Sequence, residues 1–333
     1  MQISRGAIAR AAATAALLGL PLAAGPALAQ APWKPAKPVE YVSPASPGGS
    51  VDLMIRLTKK IAEEARLYDV ASNAVYKTGA NGGIAMDYVT QPGAGAETLL
   101  AVSHTNLTHK LTGESRHDWR DLTPVGILFK EYHVIAVRAE SGIRDGRDLI
   151  ERLRRDPSSV SFGFFGNPGN HLHLAAALPL KAAGVNIRKL TTVPYRSGPE
   201  AITAVIGGHL DAALVTAVNT EQHVAAGRLR VLTQTAGRRL PGFLQQVPTW
   251  KELGVNVEYA TAQGFAGPRD MPREAVAFWE GVLARVARDE DWNRQLARNL
   301  WEGAHMTAAQ HRKYYEDEFV KLQAVLSELG LVK

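Results

Sequence analysis

Two glycine-rich stretches carry residue types that could do binding chemistry. The first is Pro44-Ala45-Ser46-Pro47-Gly48-Gly49-Ser50, which follows the strand-like run Val39 to Ser43 and precedes a helical period. A chain that leaves a strand and enters a helix exposes backbone N–H groups with no acceptor inside the helix, and the positive end of the helix dipole falls on the same spot. Such a place suits a carboxylate or a phosphate. Two readings stand at Ser46, Gly48, Gly49 and Ser50: an anion pocket, or a tight turn made by the glycines with Ser50 as the helix cap. The spacing is neither G-x-G-x-x-G nor G-x-x-x-x-G-K-[ST], so nucleotide binding loses support. Asp52 falls in the first helical turn, where it would repel an anion if it faced the pocket; it is expected to order the loop instead.

The second stretch runs from Phe162 through Gly163, Gly166, Asn167, Pro168, Gly169 and Asn170 to His171 and His173. Asn167, Gly169 and Asn170 could face the first loop across a cleft, so that two opposed helix starts grip a dianion. His171 and His173 sit two positions apart on a helix, about 200° around its axis, and are not expected to share a metal ion. The sequence has no G-x-S-x-G elbow and no recognisable Ser, His and Asp arrangement, so no catalytic residue is expected. No cofactor and no metal are expected either. Three more polar clusters fall where strands should end: Ser103, Thr105 and Asn106; Tyr195, Arg196, Ser197, Gly198 and Pro199; and Thr216 to Asn219. Each is an ordinary polar loop or part of a ligand-binding edge, and their shared placement favours the second. Arg196 could offer a fixed charge to a carboxylate. Trp250, Trp279, Trp292 and Trp301 are read as packing residues.

The elements that must hold these loops follow from periodicity. Val51, Met54, Ile55, Ile61, Ala62 and Ala65 form one helical face, with Lys59, Lys60, Glu63, Glu64 and Arg66 on the other. Strands are expected at Val70 to Tyr76 and Thr98 to Val102, with a short helix at Gly82 to Thr90 between them. Alternating β and α elements of this kind predict a mainly parallel sheet with ligands at the carboxyl ends of its strands. A second α/β unit is predicted from strands at Ile135 to Arg138, Val160 to Phe162, Thr191 to Pro194, Asp211 to Val215 and Leu229 to Thr235. From Pro272 onward only helices are expected, at Glu274 to Ala287, Glu290 to Trp301 and Ala308 to Leu329.

Composition narrows the class. The 333 residues are 46% hydrophobic and 21% charged, which suits a globular chain long enough for two domains. Zero cysteines exclude thiol nucleophiles and Cys-based metal sites. Residues 1–29 join Arg5 and Arg10 to an apolar run from Ala11 to Ala24 and to Ala27-Leu28-Ala29, the pattern of a secretory signal peptide cleaved after Ala29. The run is shorter than the ~20 residues of a membrane-spanning helix. Without Arg5 and Arg10 the formal charge drops from +6 to +4 and is spread out, so nucleic acid is not expected as a partner.

With these residues in view, the mature chain resembles the periplasmic solute-binding proteins of the tripartite tricarboxylate transporter system, the Bug family. The resemblance rests on Ser46 to Asp52, Gly79-Ala80-Asn81-Gly82-Gly83, Val193 to Pro199, Gly207 to Asp211, Ala226 to Leu232 and Val247 to Gly254, in that order. It departs from the family at Ala45-Ser46, where an aromatic and a second proline are common, and at Gly95 to Leu100, which replaces the usual D-G-Y-T-L-L.

The resemblance implies a two-domain α/β binding-protein fold that closes like a flytrap, with mixed sheets flanked by helices and the ligand in the cleft. Residues 30–134 and 256–333 would form a discontinuous first domain and 135–255 the second. It also implies that Ser46, Gly48, Gly49 and Ser50 hold one carboxylate, with Ala80, Asn167, Gly169, Asn170, Tyr195, Ser197, Gly198 and Pro199 completing the site. The expected protein is a non-enzymatic, monomeric periplasmic receptor that delivers a small organic carboxylate to the membrane subunits of such a transporter. A receptor feeding a membrane signalling kinase and an exported hydrolase are the alternatives.

Overall fold

The computed structural model describes residues 33–333; the expected leader at 1–29 lies outside them. Val39–Ser43 (β1), Ser72–Tyr76 (β2) and Thr98–Val102 (β3) are rich in β-branched and aromatic residues and pair in parallel in the order β2-β1-β3. Between β1 and β2 runs α1, Ser50–Glu64, which buries Met54, Ile55, Leu57, Ile61 and Ala62 on one face. Gly83–Val89 (α2) joins β2 to β3, and Thr105–Thr112 (α3) leaves β3.

A 17-residue strand, Leu122–Arg138 (β4), is the backbone of the molecule. Over Leu122 to Tyr132 it pairs antiparallel with Ala260–Pro268 (β9), which itself joins β3; from His133 onward it pairs with Ala212–Thr216 (β7) and Leu229–Gln234 (β8). The partner change between Tyr132 and His133 divides one ten-stranded sheet into two portions. In the second, Ser161–Phe165 (β5) lies between β7 and Thr191–Tyr195 (β6), all three parallel. Gly146–Arg155 (α4), His171–Ala182 (α5), Gly198–Ile206 (α6) and Glu221–Ala225 (α7) connect these strands. The return crossing is tied by Tyr259 N donating to Thr235 O at 3.0 Å, just before β9.

The sheet is mixed rather than mainly parallel, because the long β4 and β9 run against their neighbours. Of β4, the sequence reading finds only Ile135 to Arg138, and it does not find β9: the Gly264 and Gly267 that interrupt the apolar pattern of Ala260–Pro268 hide a buried strand. The C-terminal region also differs from expectation. Arg273–Ala287 (α8) and Ala308–Leu329 (α10) form close to the ranges read, Glu290–Arg298 (α9) stops short of the expected Trp301, and Glu302–Met306 between the last two is a strand, β10, on β4. Its polar, alternately exposed side chains give no apolar signal. All four tryptophans named above are buried, though Trp250 and Trp301 lie outside helices. No helix among the described residues is long and apolar enough to cross a membrane.

The β4–β9 seam is close enough to require glycine at Gly264. A Cβ there would press on the Gly126 carbonyl and lie 2.6 Å from Ile127 Cα, both backbone. Gly264→Ala is therefore expected to destabilise the fold by about 3 kcal/mol, read as a lower urea midpoint; an unchanged midpoint would mean the seam is looser than described.

Candidate functional site

At the end of β1 the chain turns through Gly48, whose φ of +97° lies in the left-handed region, and enters α1. The residue at the cap position is Gly49, not Ser50, and no side chain caps this helix. The first intrahelical bond runs from Leu53 N to Gly49 O, so the N–H groups of Ser50, Val51 and Asp52 have no acceptor in the helix. Asp52 orders the loop, as expected: its buried carboxylate accepts Gly48 N at 2.8 Å, Tyr76 Oη at 2.5 Å and Arg56 Nε at 3.0 Å. Burial pushes this carboxyl up, and the hydrogen bonds from Arg56, Tyr76 and Gly48 outweigh it, so the net shift is below the usual aspartate value. Ser46, Gly48 and Gly49 are exposed, and a Cβ on Gly48 or Gly49 would meet nothing within 4 Å.

The helix starts of the second portion differ. Asn170 caps α5 by accepting the Leu172 and His173 N–H groups at 3.0 Å each, and its own amide donates to Phe165 O. Gly169 N donates to His173 Nδ1 at 3.0 Å, and Ser197 caps α6 through Glu200 N at 3.3 Å. The helix starts that the sequence places opposite one another are therefore unequal: that of α1 is uncapped, and those of α5 and α6 are partly capped. Of the three starts at Gly49, Asn170 and Ser197, that of α1 alone has no side-chain cap; Asn170 takes two amides of α5 and Ser197 one of α6. On the second portion the side chains of Asn167, His171 and Tyr195 stand near these starts, and the caps leave the His171 and Gly198 N–H groups untouched.

Several expected residues do meet across the two portions. Asn167 N donates to Asn81 Oδ1 at 3.0 Å, and Glu114 Oε1 accepts both Asn81 Nδ2 at 2.7 Å and Asn167 Nδ2 at 2.8 Å. Beside this clasp Ala80 and Asn81 hold φ of +46° and +50°, between Gly79 at +120° and Gly82 at +103°. Non-glycine residues in that region cost about 1–3 kcal/mol each and persist where surrounding contacts fix them. Thr105 Oγ1 lies 3.0 Å from His171 Nδ1. Ser103 and Asn106 bond each other at the start of α3, Ser103 N donating to Asn106 Oδ1, and Asn106 Nδ2 is buried without a partner. Thr216 ends β7 opposite His133 in register. Tyr195, Ser197, Gly198 and Pro199 form the β6–α6 turn at the same edge; Arg196 is exposed, its N–H given to Glu200.

A row of buried polar residues under these loops escapes the sequence reading. Glu131 and His133 project from one face of β4. Glu131 accepts Ser50 Oγ at 3.2 Å, Gln263 Nε2 at 2.9 Å and Trp301 Nε1 at 3.1 Å, and burial pushes its carboxyl up to about 7 against the opposing pull of those donors. His133 Nε2 sits 2.6 Å from Thr261 Oγ1, its ring 5.5 Å from that of His171, and His104 stacks at 5.7 Å from Tyr314. Burial lowers all three histidines, His104 to about 3 and His171 to about 4, so they are neutral imidazoles. The available signal was Lys130-Glu131-Tyr132-His133 inside an apolar strand, since ionisable groups are rarely buried without purpose. His173 stacks on Phe164 at 5.3 Å, far in direction from His171, and no cluster among the described residues could hold a metal ion. The two cavities found elsewhere, about 330 Å³ beside Lys37, Glu40 and Tyr88 and about 140 Å³ beside Arg147 and Arg154, are lined by none of the expected residues.

Comparison with known proteins follows this geometry. The family described as tripartite tricarboxylate transporter family receptor matches residues 70–331. A Pseudomonas sp. (strain P51) protein described as "UPF0065 protein in tcbD-tcbE intergenic region" is 31% identical over 248 residues, 73% of this chain and 71% of that one. The Cupriavidus necator "UPF0065 protein in gbd 5'region" is 26% identical over 331 residues, 98% of both chains. The R. palustris protein Rpa4515, solved with adipate, superposes with a TM-score of 0.77 at 22% identity, over 90% of this chain and 99% of that one, and so shares the two-domain binding-protein fold.

Asp52→Asn tests the loop geometry. It keeps the size of the side chain but removes the charge that Gly48, Tyr76 and Arg56 share, and is expected to cost about 1–2 kcal/mol at neutral pH. Because the folded-state carboxyl is lowered, that stabilisation is present above the ordinary aspartate range and is lost as pH falls through the folded value. The difference between wild type and variant should therefore close on acidification; a gap independent of pH would contradict the assignment.

Proposed function

The chain belongs to the tripartite tricarboxylate transporter family of receptors, and from that premise we propose that it captures a small organic carboxylate between two lobes and hands it to the membrane subunits of such a transporter. The lobes are residues 30–134 with 256–333, and residues 135–255. The observation that carries this reading is the uncapped start of α1, whose Ser50, Val51 and Asp52 N–H groups lie at the end of β1 with Asp52 turned aside to hold the loop. One carboxylate binds there through backbone donors and the Ser50 hydroxyl. Asn167 and the Tyr195 to Pro199 turn, together with Ala80 at the clasp, Ser103, Thr105 and Asn106 at the start of α3, and Thr216, form the rest of the enclosure.

Closure is a matter of differential affinity: the ligand stabilises the state in which both lobes touch it. Asn81, Glu114 and Asn167, with Thr105 and His171, are the groups that hold that state in the absence of ligand. In this reading the ligand is held and released unchanged, by amides, hydroxyls and neutral imidazoles. A monomer acting in the periplasm after removal of residues 1–29 fits this role. Adipate, present in the R. palustris structure, is a reasonable first ligand to try because its two carboxylates would reach both lobes.

Thermal-shift measurements on the purified protein with mono-, di- and tricarboxylates test the proposal. A ligand that binds only the folded state raises Tm, by the equivalent of about 2.7 kcal/mol at a concentration of ~100 Kd. Gly49→Val should abolish that rise and leave the ligand-free Tm near wild type, because Gly49 has an ordinary φ of −90° and open space around it. A full shift in the variant would remove the α1 start from the site.

A further inference from the structure

Glu131 is enclosed at the foot of the α1 start, and its three hydrogen-bond partners are all neutral donors: Ser50 Oγ, Gln263 Nε2 and Trp301 Nε1. A buried carboxylate without a counter-charge is costly and tends to take up a proton. The titratable groups on the elements packed around it do not supply that charge. Asp52 on α1 is bound to Arg56 and Tyr76, Lys130 and His133 on β4 make no bond to it, and β9 carries no titratable residue. Of the residues flanking Trp301, Glu302 takes the Tyr132 hydroxyl at 2.9 Å and Arg298 makes no bond to Glu131. Gln263 Oε1, on the amide already touching Glu131, is buried and has no donor. A protonated Glu131 would donate to that oxygen once the amide turns over, an exchange of O and N that also withdraws Nε2 from Ser50 Oγ, to which it now donates at 3.2 Å.

The hydroxyl that Glu131 holds belongs to Ser50, the first residue of α1, whose own N–H points out at the open helix start. A carboxylate bound to that N–H would lie within ~9 Å of the Glu131 carboxyl, one hydrogen bond from Ser50 N as Glu131 is one from Ser50 Oγ. With one of the two buried, as Glu131 is, like charges that close oppose each other's ionisation.

We propose that Glu131 is a positioning residue that couples capture of an anionic ligand to uptake of one proton. Ionised, it keeps the Ser50 hydroxyl for itself and repels the incoming carboxylate. Protonated, it donates to the Gln263 amide oxygen and no longer repels the incoming carboxylate. The proton comes from solvent and returns to it on release. The burial that raises this carboxyl to about 7 places the exchange in the neutral range. This rests on the receptor function proposed above, with one ligand carboxylate at the start of α1.

Calorimetric titration of the purified protein with adipate, succinate, malate and citrate, between about pH 6 and about pH 8.5, tests the coupling. Affinity for whichever acid binds is expected to fall about tenfold per pH unit above about pH 7, with one proton taken up per acid as read from the dependence of the heat on buffer ionisation. Glu131→Gln, which cannot ionise, should hold the acidic-pH affinity across the range and take up no proton. Binding that is independent of pH in the wild type, or equally steep in Glu131→Gln, overturns the coupling. A ligand-free readout separates this from failure of the receptor function. The carboxyl-carbon NMR signal missing from Glu131→Gln should titrate in the neutral range; titration in the ordinary carboxylate range overturns the proposal whether or not an acid binds. A neutral titration with no acid bound at any pH would instead overturn the receptor function and the coupling built on it.

Discussion

A helix that begins without a side-chain cap leaves backbone donors facing outward, and the start of α1 is such a place: Gly49 stands where a serine, threonine, asparagine or aspartate would otherwise accept them. The cost of leaving these donors bare in water is small, because solvent satisfies them until a ligand arrives. What must be prevented is the loop folding back and capping the helix itself. Asp52 does this by drawing Gly48 N, Tyr76 and Arg56 together below the turn, so the backbone at Gly48 and Gly49 is held with space around it. The starts of α5 and α6 carry side-chain caps from Asn170 and Ser197, so the candidate site is asymmetric. One lobe presents backbone donors with the helix dipole behind them, and the other presents side chains that can differ between relatives without disturbing the turn.

The second organising element is β4. A single strand that changes partners between Tyr132 and His133 ties both halves of the sheet to one covalent rod, and the polar residues at that change of partner are buried under the site. Glu131 reaches the start of α1 through Ser50, while His133 lies beside His171, which meets Thr105 at the start of α3. Both helix starts are thus linked by direct contacts to the strand common to both lobes. Satisfied buried polar groups fix geometry more sharply than apolar packing does, and partly satisfied ones are where change is easiest. Gln263, Asn106 and His133 each keep one buried atom without a partner, as do several polar residues elsewhere in the interior.

The sequence was informative where local rules govern. The β1-turn-α1 unit, the parallel pairing of β1 to β3, and most helices follow from periodicity and turn residues that act within a dozen positions. The order of short motifs from Ser46 to Gly254 was enough to place the chain in its family, which no single motif could do. Long-range pairing was not legible. β9 and β10 are held by β4, more than 100 residues away in sequence, so their glycines and polar side chains read as loop. The same limit applies to the site: glycine turns point to backbone donors locally, but the capture of the α5 and α6 amides by Asn170 and Ser197 depends on side-chain direction. Glu131 and Gln263 become partners only when β4 and β9 are laid side by side. Asn81 was visible within Gly79 to Gly83, yet its role opposite Asn167 needs both lobes in view.

The most direct test is diffraction from crystals grown with the carboxylate that gives the largest thermal shift. One of its carboxylate groups is expected within hydrogen-bond distance of the Ser50 and Val51 N–H groups, with Asn167 or Tyr195 at its other end and Asp52 still bonded to Gly48. A ligand lodged elsewhere, for instance in the cavity beside Lys37 and Tyr88, with the amides of α1 left to water, would contradict the assignment of this edge as the binding site.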